Sequence, residues 1–259
     1  MARSKTGAST GGAVAAKPKV TRARQAAPEP GAAFTGFPAD ALAFLRELDE
    51  HNEREWFETQ RARYERSVRG PALAFIAAMA PELARISKRF VADPRPQGGS
   101  LMRIHRDVRF GADKRPYKTN IGIHFRHTAG KDVHAPGIYV HVAPDGCFLG
   151  VGLWHPEPEP LAQIRKRIVE KSKAWQTVRD DPGFRKVFEP GGESLARAPR
   201  GFDAEHVHVD DLRRKSHISL AKLGVRELGR ADLPAVLGVR IAAAKRYLGF
   251  LCAAIGQPF

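Results

Sequence analysis

Residues 121–154 read IGIHFRHTAGKDVHAPGIYVHVAPDGCFLGVGLW, and their alternation decides the fold class. Ile121, Ile123 and Phe125 alternate with Gly122, His124 and Arg126, and Ile138, Val140 and Val142 alternate with Tyr139 and His141. A period of two marks strands with one face on a core and the other toward water. Pro144-Asp145-Gly146 is a turn, so residues 147–154 return as the second half of a hairpin. Upstream, Met102, Ile104 and Val108 alternate with Arg103, His105 and Asp107, which predicts a further strand. Strands that follow one another without intervening helices form an antiparallel meander.

Helical spacing flanks this block. Ala41, Leu42, Leu45 and Leu48 share one face, and a second helix is predicted from Glu53 to Arg66 with Trp56, Phe57, Gln60 and Tyr64 together. Gly70-Pro71 is expected to separate it from a third helix carrying Leu73, Ile76, Ala80, Leu83, Ile86 and Phe90. Beyond His155-Pro156, Leu161, Ile164, Ile168 and Trp175 mark another helix, opened by Pro160. Residues 180–215 read as loop. One last helix carries Leu237, Ile241, Ala244, Leu248, Leu251 and Ile255 on a stripe. The sum is an α+β fold, an antiparallel β-meander packed against N- and C-terminal helices in a single domain over residues 34–259.

Residues 1–33 differ in texture. Their only large aliphatic residues are Val14 and Val20, so the segment cannot bury enough surface to offset its ordering and is expected to be a disordered basic tail. It has no apolar core of the kind a secretory signal needs. The tail carries +5 of the chain's formal +15, so the folded part keeps +10. No apolar run approaches the ~20 residues of a membrane span. Cys147 and Cys252 form no CxxC pair and point to a reducing, cytoplasmic setting.

The excess charge concentrates in residues 103–119, RIHRDVRFGADKRPYKT. Burying unpaired charge on both faces of a strand is prohibitive, so one side must meet water, partner acids or an anionic ligand. Arg103, Arg106, Arg109, Lys114 and Lys118 are the candidate anion-binding groups, with Arg126 and His141 brought alongside by the next two strands. The guanidinium fork suits phosphate or carboxylate. His105, Asp107 and Tyr117 are the candidates for proton transfer, with Asp107 expected to fix the imidazole of His105.

Other chemistries find less support. Gly111 and Lys118-Thr119 do not make a phosphate-binding P-loop, because Tyr117 precedes the lysine and Pro116 removes a backbone donor. His124, His127, His134, His141 and His155 match no zinc-binding spacing, so no metal is expected, and without a dinucleotide fingerprint no cofactor is expected either. A second charged cluster runs from Pro199-Arg200-Gly201-Phe202 through His206, His208, Asp210, Asp211, Arg213, Arg214 and Lys215. It reads equally as part of the same site or as a helix start capped by Asp210 or Asp211.

Phe37, His51-Asn52, Arg54, Trp56-Phe57, Arg61 and Tyr64 together resemble the start of the family known as domain of unknown function 2461. The resemblance continues through Arg106-Asp107, Arg109-Phe110, Asp113-Lys114 and Pro116-Tyr117-Lys118, and through Gly137, Tyr139, His141, Gly146, Gly150, Gly152 and Trp154. Pro199 to Phe202, Leu212-Arg213 and Lys215-Ser216 extend it, so that it spans about residues 34–256. It implies one compact domain and assigns it no activity. The residues themselves favour binding of, and chemistry on, a phosphorylated or otherwise anionic small molecule. A nucleic-acid-binding module using the same basic face and the tail ranks second, and a scaffold for an acidic partner third. Oligomeric state is left open.

Overall fold

The structure, a computed structural model, describes residues 33–109, 111–130 and 135–259. The basic segment before Ala33, together with Phe110 and His134, lies outside the described residues.

The chain opens with α1 (Ala39–Glu50) and α2 (Arg54–Tyr64), then a π-helical turn over Glu65–Arg69, α3 (Gly70–Ile86) and β1 (Phe90–Val91). The meander follows as β2 (Ile121–His127), β3 (Gly137–Ala143) and β4 (Gly146–Leu153). Next come α4 (Pro158–Glu170), α5 (Ser172–Arg179), α6 (Pro182–Val187), β5 (Glu189–Gly191) and α7 (Val209–Leu212). The chain closes with β6 (His217–Lys222), α8 (Val225–Leu228), α9 (Leu233–Ala243) and α10 (Lys245–Ala254). The strands form one antiparallel sheet in the order β1-β2-β3-β4-β6-β5.

The pleat sorts side chains as the alternation requires. Ile121, Ile123 and Phe125, Ile138, Val140 and Val142, and Leu149 and Val151 all lie on one face at 2% exposure or less. α3 packs on β1 and β2, α1 on β3 and α10 on β4, so the helices cover that face and the core lies between the two layers. A two-layer α+β domain is what this patterning produces. α1 and α2 are clamped by Arg63, which bonds Asp40 and Glu47 at 2.6 Å each.

Several element boundaries differ from expectation, each for a physical reason. Gly70 and Pro71 do not interrupt the helix: Arg69 and Gly70 keep right-handed helical dihedrals, and α3 follows the π turn directly. A proline crowds the carbonyl four residues back, and the wider π turn ahead of Pro71 relieves that crowding. α3 buries Ala72, Phe75, Ile76, Met79, Leu83 and Ile86, while Ala80 faces water and Phe90 belongs to β1. Trp175 lies on α5, past a break at Lys171, and the last helix is two, α9 and α10, bent at Ala244 (φ −88°, ψ 2°).

The segment 102–108 is not a strand. Leu101 bridges to Ile123 and His105 to Tyr117, and the rest is irregular. The free edge of β2 is already occupied by β1 and by residues 100–102, whose backbone bonds Gly122 and His124. The chain therefore leaves the sheet after Met102, and residues 103–109 and 111–119 belong to a charged arm whose two halves bond each other.

Candidate functional site

The arm is tied at its base by two short segments. Arg106 N–H donates to the Pro116 carbonyl and Lys118 N–H to the Ile104 carbonyl, both at 2.8 Å. On the other side of residues 116–118 stands Asn52, in the turn between α1 and α2. Its side chain donates to the Tyr117 carbonyl (3.1 Å) and accepts from the Tyr117 N–H (2.9 Å). The Tyr117 ring, 2% exposed, stacks on Phe57 at 4.2 Å. An apolar anchor and a two-bond dock thus fix the arm against α2.

Much of the arm's charge is spent inside it. Asp113 holds Arg106 and Arg115, and Arg115 also reaches Asp49 at 2.6 Å. Asp107 binds Arg109 through both carboxylate oxygens, at 2.9 and 2.7 Å. Lys114 donates to the Val108 carbonyl at 3.0 Å. Arg54, Arg103 and Lys118 make no ion pair among the described residues.

Asp107 does not orient His105, contrary to expectation: two residues farther on, the guanidinium of Arg109 is the stronger attraction for that carboxylate. His105 instead leans over Tyr117, ring centroids 5.1 Å apart. Burial, then the positive charges of Arg61, Arg103 and Arg54, lower its pKa, with Glu58 opposing them. The Tyr117 phenol is raised, chiefly by burial and then by Glu58. The pair therefore offers a neutral imidazole and a protonated phenol.

A half-open pocket of about 410 Å³ lies between arm and helix, lined by Arg54, Glu58, His105, Arg106, Val108, Pro116 and Tyr117. Both Glu58 oxygens accept from Arg61, so this carboxylate is already engaged. Of the residues singled out from sequence, His105, Arg106 and Tyr117 meet in the pocket. Asp107, Arg109 and Lys114 lie farther out along the exposed arm. Burial and Arg103 lower the Lys118 pKa.

Arg126 and His141 belong to another surface, the sheet face away from the helices. There His124 stands opposite Tyr139, and the Tyr139 hydroxyl meets His141 Nδ1 at 3.2 Å. His141 stacks on Phe148 at 4.7 Å, and Arg126 Nε donates to His124 Nδ1 at 3.4 Å. The strand pairing thus gathers His124, Arg126, Tyr139 and His141 on one face, and the arm pocket takes its remaining wall from α2. The second cluster, residues 199–216, packs against α4 and α5: Arg165 bonds the Leu212 and Arg214 carbonyls, and Asp211 bonds Trp175 and Arg179. Asp210 and Asp211 sit in the first turn of α7 and do not cap it.

Arg54 and Glu58 escaped the functional reading of the residues. Together with Arg61 they recur at helical spacing, a signal present in the sequence that reads equally as a solvated helix face.

A family model described as conserved hypothetical protein (DUF2461) matches residues 40–250. The chain belongs to this family. The match spans the arm, Asn52 and α2, and the whole sheet, so every component of the pocket lies inside the family domain. No curated protein and no solved structure matches the chain. Among the described residues no group of three or more His, Cys, Asp or Glu could hold a metal ion, and no helix is long and apolar enough to cross a membrane. Cys147 and Cys252 are free, buried thiols whose pKa values burial raises.

Proposed function

We propose that this member of the DUF2461 family binds a small phosphorylated or otherwise anionic molecule in the pocket between the charged arm and α2. One observation carries the reading. The pocket is lined by two guanidiniums and an imidazole against a single carboxylate, and that carboxylate is already bonded to Arg61. Positive charge left over inside a concave, partly desolvated site attracts anions more strongly than the same charge spread on a convex surface. Arg54 supplies the guanidinium without an ion pair, Arg106 a second one shared with Asp113, and the Tyr117 and His105 side chains supply further hydrogen-bonding groups. The reading is of binding; the expected His105–Asp107 proton relay does not support a catalytic one, since that carboxylate is held by Arg109.

The competing reading, a nucleic-acid module, draws on the +15 charge of the chain. Calorimetric titration of inorganic phosphate, a nucleoside monophosphate and a short DNA duplex at two salt concentrations separates them. Small-anion binding predicts saturation by the monophosphate at one site and no gain from the duplex. A duplex that binds far more tightly, with log affinity falling by ~0.9 per phosphate contacted against log salt, would overturn the proposal.

A further inference from the structure

β6 breaks the apolar row that the other strands turn toward the helices. Where β2, β3 and β4 present aliphatic and aromatic residues, β6 presents His217 and Ser219 before Ala221, all three 3% exposed or less. His217 is wholly buried, and neither of its ring nitrogens has a hydrogen-bond partner; its ring meets Trp175 edge to face at 5.9 Å. Native proteins rarely leave two buried polar atoms unpaired, because each forfeits its hydration without return. Burial, then Arg214 and Arg165, lower the pKa to about 3, so the ring is neutral, with one N–H donor and one acceptor nitrogen.

His217 lines a half-open pocket of about 300 Å³ that shares no residue with the arm pocket. One wall is aromatic: Phe184 stacks on Tyr247 at 4.8 Å and on Phe188 at 5.3 Å. The two carboxylates of the lining are both engaged by Arg179, Asp180 at 2.7 Å and Asp211 at 3.0 Å, and Asp211 also accepts the Trp175 indole N–H at 2.8 Å. Arg214 differs. It donates to the Gly191 carbonyl and makes no ion pair among the described residues, yet its charge acts on both His217 and Tyr247. The pocket therefore joins one unpaired positive charge, one unpaired neutral imidazole and an aromatic wall.

We propose that this pocket is a second ligand site, for a small monocarboxylate with a compact apolar body of about the size of benzoate, its carboxylate between Arg214 and the His217 N–H and its body against Phe184 and Phe188. A single negative charge matches Arg214, whereas a phosphate dianion would leave charge uncompensated beside a neutral ring. The ring nitrogens are sealed from bulk water, so a ligand that reaches them displaces a lining side chain.

The test uses the full chain and three probes, benzoate, cyclohexanecarboxylate and hexanoate, followed through the ring nitrogens of His217 by long-range proton–nitrogen correlation. The expected result is saturable binding of benzoate that shifts one ring nitrogen, is not displaced by inorganic phosphate, and weakens about tenfold or more in His217→Phe and in Arg214→Gln. Should His217→Phe fail to fold, the wild-type spectra and Arg214→Gln decide. Ring nitrogens that do not move with any of the three probes up to ~10 mM, or benzoate binding unchanged in Arg214→Gln, would overturn the proposal; the working range is that of a weak small-ligand site.

Discussion

The side chain of Asn52 pairs with the backbone of Tyr117, donating to its carbonyl at 3.1 Å and accepting from its N–H at 2.9 Å. The two residues are 65 positions apart, and Asn52 is 8% exposed. An amide side chain here does what a neighbouring strand would do, satisfying both polar groups of one residue. Asn52→Ala removes both bonds and leaves two buried backbone groups unpaired, which is expected to cost about 2–4 kcal/mol in urea unfolding. Asn52→Asp keeps the acceptor and loses the donor, so it too should destabilise. A loss below ~0.5 kcal/mol in both variants would show that the dock contributes nothing.

Two histidines make stability fall in mild acid. Burial, then Arg126, lower His124 to about 4, and burial with Arg214 and Arg165 lowers His217 to about 3, against an ordinary value of 6.5. Both fold neutral, while the unfolded chain takes up protons near 6.5. Their contribution is therefore complete above that pH and is lost as pH falls toward the folded values. At pH 5 each withholds about 2 kcal/mol. Asp40 and Asp113, held low by Arg63 and Arg106, titrate beneath this window. Unfolding free energies at pH 7.5 and 5.0 should differ by several kcal/mol in the wild type and by roughly half as much in His217→Phe; a flat wild-type profile would contradict this.

Gly152 holds the β4–β6 register. Its φ is +121°, and a Cβ there would lie 2.1 Å from the His217 carbonyl oxygen. Gly152→Ala is expected to cost at least about 2 kcal/mol, since strain and backbone overlap add. Gly146→Ala, with nothing within 4 Å of the added atom, should be nearly neutral. Equal midpoints in urea for the two variants would refute the close approach.

Asp113 competes with any anion for Arg106. Asp113→Asn should leave the fold intact, because both Arg partners and the acid are partly exposed, and should raise phosphate affinity about fivefold by freeing one positive charge beside the pocket. Arg54→Ala should lower it by a similar factor or more. Calorimetry on both variants gives the answer, and a decrease in Asp113→Asn would mean that the carboxylate takes part in binding.

The meander was legible because β2 and β3 each have one face on the core and one carrying half-buried polar side chains, which writes a period of two into the residues, and because the turn at Pro144-Asp145-Gly146 marks β4 as the return strand. β6 was not legible because its pattern is inverted: Ile218 and Leu220 lie on the face away from the helices, beside Gly191 and Gly150, while His217 and Ser219 turn inward. The arm showed the same limit from the other side. Its alternation of Ile104 and Val108 with His105 and Asp107 is genuine, since the first pair is half-buried and the second exposed, but the edge of β2 was already occupied. Alternation reports burial and says nothing of partners. The pocket was half legible: His105, Arg106 and Tyr117 stood out by charge and chemistry, whereas Arg54 and Glu58 on α2 became visible only once Asn52 had brought the arm to the helix.

The most direct test of the arm pocket is the ring signal of His105 during titration with inorganic phosphate. A phosphate bound beside Arg54 and Arg106 offsets the positive charges of Arg61, Arg103 and Arg54 that lower this pKa, so saturable binding should move the His105 titration to higher pH, and Arg54→Ala should abolish the shift. A His105 titration curve unmoved by phosphate at tens of millimolar, or moved equally in Arg54→Ala, would contradict the account; these concentrations reach Kd values of about 1 mM and weaker.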